Sequence, residues 1–201
     1  MSRPKNTDIE SGILSAAMKE LSRIRPDKVT MRAVAKKAGI TATTIYYYFK
    51  DREELFEAVK FRYIDELSAF LAAADPGSGS HALRLRRFMR GFADWCFANP
   101  GPARLIMSGL PANLSPPAEA LPRYYRANRA AREVLAAAVQ AGELRSEDPD
   151  LDVSVGIGAV WGAVQLTLDH RFEPAFWKAG STVADRAIEV FMNGLIAGGM
   201  K

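Results

Sequence analysis

Apolar residues recur along most of the chain at intervals of three and four, the period of one face of an α-helix. Ile9, Ile13, Ala17, Leu21 and Ile24 share such a face, which predicts a first helix from Asp8 to Ile24. Thr7 and Glu10 precede and open it as a T-x-x-E capping pair. Thr30 opens a short second helix, MRAVAKKA, stopped at Gly39, and Thr41 opens a third, ATTIYYYF. Asp51 with Glu54 starts a long fourth helix, about 51–74, with a stripe of Leu55, Val59, Tyr63 or Arg62, Leu67 and Phe70. Further helices are predicted near 81–99, 102–109, 118–142, 150–172 and 179–197, with prolines punctuating the runs because the residue breaks helix interiors. Alternating strand-like patterns are nearly absent. VSVGIGAV (153–160) comes closest, and its small residues inside a longer apolar run favour helix. The predicted class is all-α, with a three-helix domain at 1–52, a linking helix at about 51–74 and a larger helical domain at 75–201. DPGSGS (75–80) reads as a flexible connection.

Composition narrows the function classes. With 201 residues, 48% hydrophobic and 25% charged, the chain has the make-up of a globular protein with a sizeable core. No apolar run reaches about 18 residues, so no membrane partner is expected. The start, MSRPKNTDIES, lacks the apolar segment of a secretory signal. Cys96 is the single cysteine and points to a reducing cytoplasm. Charge is unevenly spread: residues 1–62 carry 13 Lys and Arg against 8 Asp and Glu, whereas 63–201 carry 14 against 15. The positive excess lies wholly in the first third, which suits an anionic partner such as nucleic acid or a membrane surface.

The segment 29–55 joins two short helices through a tight turn at Ala38-Gly39-Ile40. Val34, Ala35, Ala38, Ile40, Ile45 and Phe49 form a small core between them. This is the layout of a helix-turn-helix, whose second helix enters the DNA major groove. On that second helix Ile45 and Phe49 point inward, while Ala42, Thr43, Tyr46 and Tyr47 lie on the other side, with Tyr48 on the flank. Tyrosine hydroxyls bond phosphate oxygens, and ring edges pack on thymine methyls. Thr44 can reach a base edge or a phosphate. Thr30 and Thr41 cap helices whose amides can meet phosphates, and Arg32, Lys36, Lys37, Lys50 and Arg52 add positive charge.

Residues 30–55, T-M-R-A-V-A-K-K-A-G-I-T-A-T-T-I-Y-Y-Y-F-K-D-R-E-E-L, resemble the DNA-binding signature of the TetR (TetR/AcrR) transcriptional regulators. The resemblance extends over roughly residues 8–60. It implies DNA contacts at Thr30, Arg32, Thr44, Tyr46, Tyr47, Tyr48 and Arg52. Thr43 stands where the family often has glycine. Residues 92–109 and 159–168 look like the regulatory domain of one subgroup, with Trp161 where that subgroup often has histidine. The family resemblance implies a homodimer through the last two helices and a small-molecule pocket.

The residues of the second region can be read for both roles. Val183, Ala187, Val190, Phe191 and Leu195 recur at helical spacing, while Gly156, Gly158, Ala159 and Gly162 let another helix approach closely. The expected dimer interface is Gly158, Gly162, Ala187, Val190, Phe191 and Leu195. The expected pocket is Phe88, Phe92, Trp95, Cys96, Leu105, Tyr124, Trp161 and Gln165, suited to a small apolar effector. Arg84, Arg86, Arg87 and Arg90 read as a solvated cationic face. No catalytic or metal site is expected: His81 and His170 have no ligand spacing, and neither G-x-S-x-G nor a phosphate-binding G-x-x-x-x-G-K occurs. No cofactor is expected, since G156-x-G-x-x-x-G162 lacks a preceding strand. The sequence therefore reads as a ligand-responsive repressor acting as a homodimer on a palindromic double-stranded DNA operator. The alternative is a helical small-molecule-binding protein without operator function.

Overall fold

A computed structural model describes residues 6–108, 121–171 and 181–196; the side chains of Leu121 and Tyr124 lie outside that description. Among the described residues every regular element is helical, and Leu144 and Ile196 form an isolated antiparallel bridge. The chain divides into two compact units. The first runs through Asp65 and takes in the segment from Asn99; the second comprises Glu66–Ala98 and resumes at Pro117.

The first unit contains α1 (Thr7–Leu21), a 3-10 turn (Pro26–Lys28), α2 (Met31–Ala38), α3 (Ala42–Tyr48), the first part of α4 (Arg52–Ala74) and α6 (Pro100–Met107). Asn6, not Thr7, caps α1: its side-chain oxygen accepts from the Asp8 amide at 2.8 Å, so the helix begins one residue earlier than the capping box suggests. The helix ends at Leu21, which leaves Ile24 outside it and exposed. Ile13, Ala17, Leu21, Val34, Ile45, Leu55 and Val59 are buried here. Each of the Ile, Leu and Val side chains contributes about 1.5–3 kcal/mol by leaving water. Tyr63 on α4 donates its hydroxyl to the Met18 carbonyl at 2.9 Å, tying α4 to α1. α6 lies close on the end of α1: a Cβ added at Gly101 would fall 2.0 Å from the Leu21 carbonyl oxygen.

The second unit contains the rest of α4, α5 (His81–Ala98), a short α7 (Leu121–Tyr124), α8 (Arg126–Gln140), α9 (Pro149–Leu168) and α10 (Thr182–Leu195). The helix predicted at 118–142 is interrupted at Tyr125, whose backbone (φ −99°, ψ 15°) leaves the helical region. Residues 109, 118–120, 172, 179–180 and 197 of the predicted helices lie outside the described residues. Leu85 and Met89 of α5, Leu135 of α8, Val160 and Val164 of α9, and Ile188 and Met192 of α10 form the core.

Two expectations change here. The α5 arginines are not simply a solvated face. Arg84 pairs with Asp75 at 2.8 Å, Arg86 pairs with Glu189, Arg87 donates to the Ser78 carbonyl at 2.7 Å, and Arg90 pairs with both Asp94 and Asp185. Asp75, Glu189 and Asp185, supplied by other segments and invisible to local pattern, pair with Arg84, Arg86 and Arg90. Second, α9 has 20 residues and a mean hydropathy of 1.4 over its most apolar window, long and apolar enough by length and composition to cross a membrane. Only 33% of that window is buried within the chain.

Candidate nucleic-acid interface

The N-terminal geometry follows from capping. Thr30 caps α2 by accepting from the Ala33 amide at 3.2 Å. α2 ends at Gly39 with φ 71°, a left-handed conformation that favours glycine, and the Ile40 amide returns to the Ala35 carbonyl at 3.0 Å. Two residues on, Thr41 caps α3, accepting from the Thr44 amide at 3.1 Å, with the two threonine hydroxyls 2.8 Å apart. Asp51 accepts from the Glu54 amide at 2.8 Å, while Glu54 reaches back to the Lys50 amide at 2.6 Å, so α4 starts with a reciprocal cap. Each boundary is thus set by a short polar side chain or a glycine, and α3 is held at a fixed angle to α2.

On α3, Ile45 and Phe49 are buried as expected, while Tyr46 and Tyr47 are 51% and 46% exposed. Two aromatic rings on one side of a seven-residue helix present apolar edges and hydroxyls together. Tyr48 is different. It is 5% exposed, packs edge-on against Tyr47 at 5.3 Å between ring centroids, and its hydroxyl accepts from the Asn6 amide at 3.1 Å. It fastens the start of α1 to the end of α3.

Thr41, Thr43, Thr44, Tyr47 and Tyr48 come together with Asn6 and Ile9 around an open groove of about 430 Å³. Ile9 comes to this groove from the predicted apolar stripe of α1, and Asn6, the observed cap of that helix, was not among the expected site residues. Thr30, Arg32, Tyr46, Lys50 and Arg52 do not line this groove. Arg32 and Lys50 are exposed and, among the described residues, their side chains make no ion pair. Arg52 is half-buried, paired with Glu53 at 3.5 Å and stacked over Phe56 at 5.4 Å from the ring centroid. Lys37 pairs with Glu20 at 2.8 Å and joins α2 to α1.

Comparison with known proteins accounts for both units. A model of bacterial regulatory proteins of the tetR family matches residues 13–59, and a model of the tetracyclin repressor-like C-terminal domain matches residues 85–191. The chain belongs to the tetR family. This tetR-family chain is 35% identical over 69 residues to an HTH-type transcriptional regulator of Haemophilus influenzae, a match spanning 34% of this chain and 37% of that protein. Its fold resembles that of a TetR family transcription regulator from Marinobacter aquaeolei VT8, with a TM-score of 0.69 and 17% identity over 94% and 95% of the two chains. It also resembles that of a protein from Rhodococcus sp. RHA1, with a TM-score of 0.76 and 18% identity over 98% and 100%. The protein is a transcriptional regulator with a DNA-binding helix-turn-helix domain, not an enzyme.

The residues expected at the pocket and the dimer fall as follows in this tetR-family regulator. Phe88, Phe92, Trp95 and Cys96 are buried on α5, Trp161 and Gln165 are half-buried on α9, and Leu105 is buried in the other unit on α6. Burial pushes the Cys96 thiol up to about 12, so it stays protonated and inert. The Tyr124 side chain lies outside the described residues. At the expected interface, Gly158 and Val190 are exposed, and Gly162 and Ala187 are half-buried. Phe191 lies against Gly156 of the same chain: a Cβ at Gly156 would meet its ring at 2.7 Å. Leu195 is only 7% exposed in the core. The uncovered apolar side of α9 is instead Leu151, Val155, Gly158, Ala159 and Leu166, with Gly162 half-covered. Apart from chain neighbours and the backbone of α9 itself, no heavy atom of the described residues lies within 4 Å of a Cβ built at Gly158 or Gly162.

Proposed function

We propose that this regulator is a ligand-responsive repressor that binds a palindromic operator as a homodimer in the cytoplasm. The observation that carries the reading is a pair of apolar stripes that the chain leaves largely uncovered, with Gly162, Val183 and Ala187 half-buried among exposed neighbours. Leu151, Val155, Gly158, Gly162 and Leu166 repeat along α9 at helical spacing, and Val183, Ala187, Val190 and Gly194 repeat along α10. Leu151, Val155 and Val190 are 59%, 57% and 56% exposed in the single chain. Water-facing apolar stripes of this length mark an association surface. The glycines permit close helix approach, and a second copy is the self-complementary occupant. The 1–52 and 75–201 division serves this mechanism, with α4 carrying a ligand-induced change toward the reading helix.

Two-fold symmetry then supplies two α3 helices for two half-sites. Tyr46, Tyr47 and Thr43 face base edges, and Thr30, Arg32, Thr41, Thr44, Lys50 and Arg52 face phosphates. Tyr48 acts by fixing the position of α3 through Asn6. An effector favours a dimer whose reading heads no longer match the half-site spacing. Selection of bound duplexes from a random pool tests the proposal. The expected product is an inverted repeat with centres about one helical turn or a multiple apart; enrichment of a single asymmetric half-site would contradict the homodimeric operator reading.

A further inference from the structure

We propose that a cleft between α4, α5 and α8 is the effector site, and that it takes a neutral, mostly apolar molecule carrying one hydrogen-bonding oxygen, received by Ser68. This rests on the ligand-responsive reading above. The cleft has a volume of about 350 Å³, within the range of small-molecule sites. Its apolar lining comes from Leu71, Phe88 and a stripe of small residues on α8, Ala127, Ala130 and Ala137. Alanines repeating at 127, 130 and 137 keep α8 from filling the space that leucines would occupy. This is a different site from the core residues Phe92, Trp95 and Cys96; Phe88 is shared with that set.

The polar groups define the ligand's chemistry. Arg84 and Arg126 lie at the cleft with Asp75 and Glu133, two charges of each sign. Arg84 and Asp75 pair at 2.8 Å, and the guanidinium holds the Asp75 carboxyl below its usual range. That pair is internally neutral, so the rim offers no net charge to attract an anion or a cation. On the wall, the Ser68 hydroxyl is enclosed and has no hydrogen-bond partner among the described residues. A buried hydroxyl without a partner is costly, so a ligand oxygen that meets it gains a hydrogen bond without breaking one inside the protein. An apolar body with one oxygen matches this set of groups; a carboxylate or an ammonium does not.

Calorimetric titration of the full-length protein with 1-naphthol, naphthalene and 1-naphthoate tests the assignment. The expected order is 1-naphthol tightest, with naphthalene about three- to tenfold weaker for want of one hydrogen bond. Naphthoate should bind more weakly than naphthol. Ser68→Ala should bring naphthol down to the naphthalene level. Ala130→Trp, at an exposed position that leaves the core intact, should fill the cleft and abolish both. Naphthoate binding tightest, no saturable binding by any probe, or naphthol binding unchanged in Ala130→Trp would each overturn the proposal. Operator affinity is measured separately by anisotropy: naphthol bound in the cleft with unchanged operator affinity supports the site's chemistry and overturns the ligand-responsive reading instead.

Discussion

The N-terminal reading head and the C-terminal body are built by different means. In the head, seven- and eight-residue helices are bounded by Thr30, Gly39, Thr41 and Asp51, each acting on backbone groups within four residues. In the body, the features that matter are a cleft and two partly uncovered stripes, and both arise from what distant helices leave uncovered. A function carried by side chains at fixed local spacing is therefore set by the head's own sequence. A function carried by space between helices depends on packing. Mutations should separate the two: changes in the head should act on DNA with the dimer intact, whereas changes in the body should act on assembly or ligand first.

The largest effect is expected where the head's support is completely buried. Ile45 is fully enclosed beneath α3, and Ile45→Ala should cost about 2–5 kcal/mol of stability through the lost contacts and the cavity left behind. Thermal denaturation should show it, and operator binding should fall with it. A melting temperature unchanged from the parent would mean that α3 is not held by this core.

Next comes the body's partly uncovered stripe. Val155→Asp together with Val190→Asp places carboxylates where a second chain would bury them, a costly exchange. Sedimentation should change from dimer to monomer while the helical signal is retained, and operator affinity should fall because one head reads one half-site. A stable dimer in the double variant would contradict the assignment of these faces. Phe191 is a poorer probe, because its ring packs on Gly156 within the chain and substitution there also disturbs the fold.

The exposed tyrosines sharpen the contrast. Tyr46→Ala or Tyr47→Ala should weaken operator binding by about 1–3 kcal/mol and leave melting and dimerisation nearly unchanged. Tyr48→Phe removes only the hydroxyl bonded to the Asn6 amide, so about 0.5–1.5 kcal/mol of stability is expected to be lost. Equal operator effects in Tyr47→Ala and Tyr48→Phe, with melting unchanged in both, would erase the distinction between contacting and positioning residues.

The smallest effect is electrostatic and belongs to the body. Glu143 accepts from the Ala82 amide at 2.7 Å and lies beside His81, and these bonds hold its carboxyl below the ordinary glutamate range. A depressed folded-state value stabilises the fold above the unfolded glutamate value. That contribution fades as pH falls through the folded value. Melting temperatures followed downward from neutral pH should fall more steeply in the parent than in Glu143→Gln at the acidic end. Parallel curves would show that this clasp carries no linked stability.

Most of the head was legible because its signals are local: capping residues, Gly39, the inward pair Ile45 and Phe49, and the exposed tyrosines. The family signature in 30–55 had the same origin. What local reading missed was long-range. Asn6 displaced Thr7 as the cap, and Tyr48 turned inward, where its hydroxyl accepts from a backbone amide 42 residues away. In the body, the α5 arginines found carboxylates on α10 and in the loop after α4, and Leu195 and Phe191 turned toward their own chain. Helical period identifies an apolar stripe but does not say whether it meets its own chain or another. The cleft at Ser68 is equally silent in the sequence, since its small α8 residues read as good helix formers.

The salt dependence of binding to a selected duplex tests the central claim most directly. If the head engages about 6–8 phosphates per dimer, a plot of log affinity against log salt should have a slope of about −5 to −7. Tyr46→Ala and Tyr47→Ala should lower affinity at every salt concentration, with little change of slope if they read bases. A slope near zero for the parent would contradict the assignment of the basic N-terminal unit as the DNA-binding face.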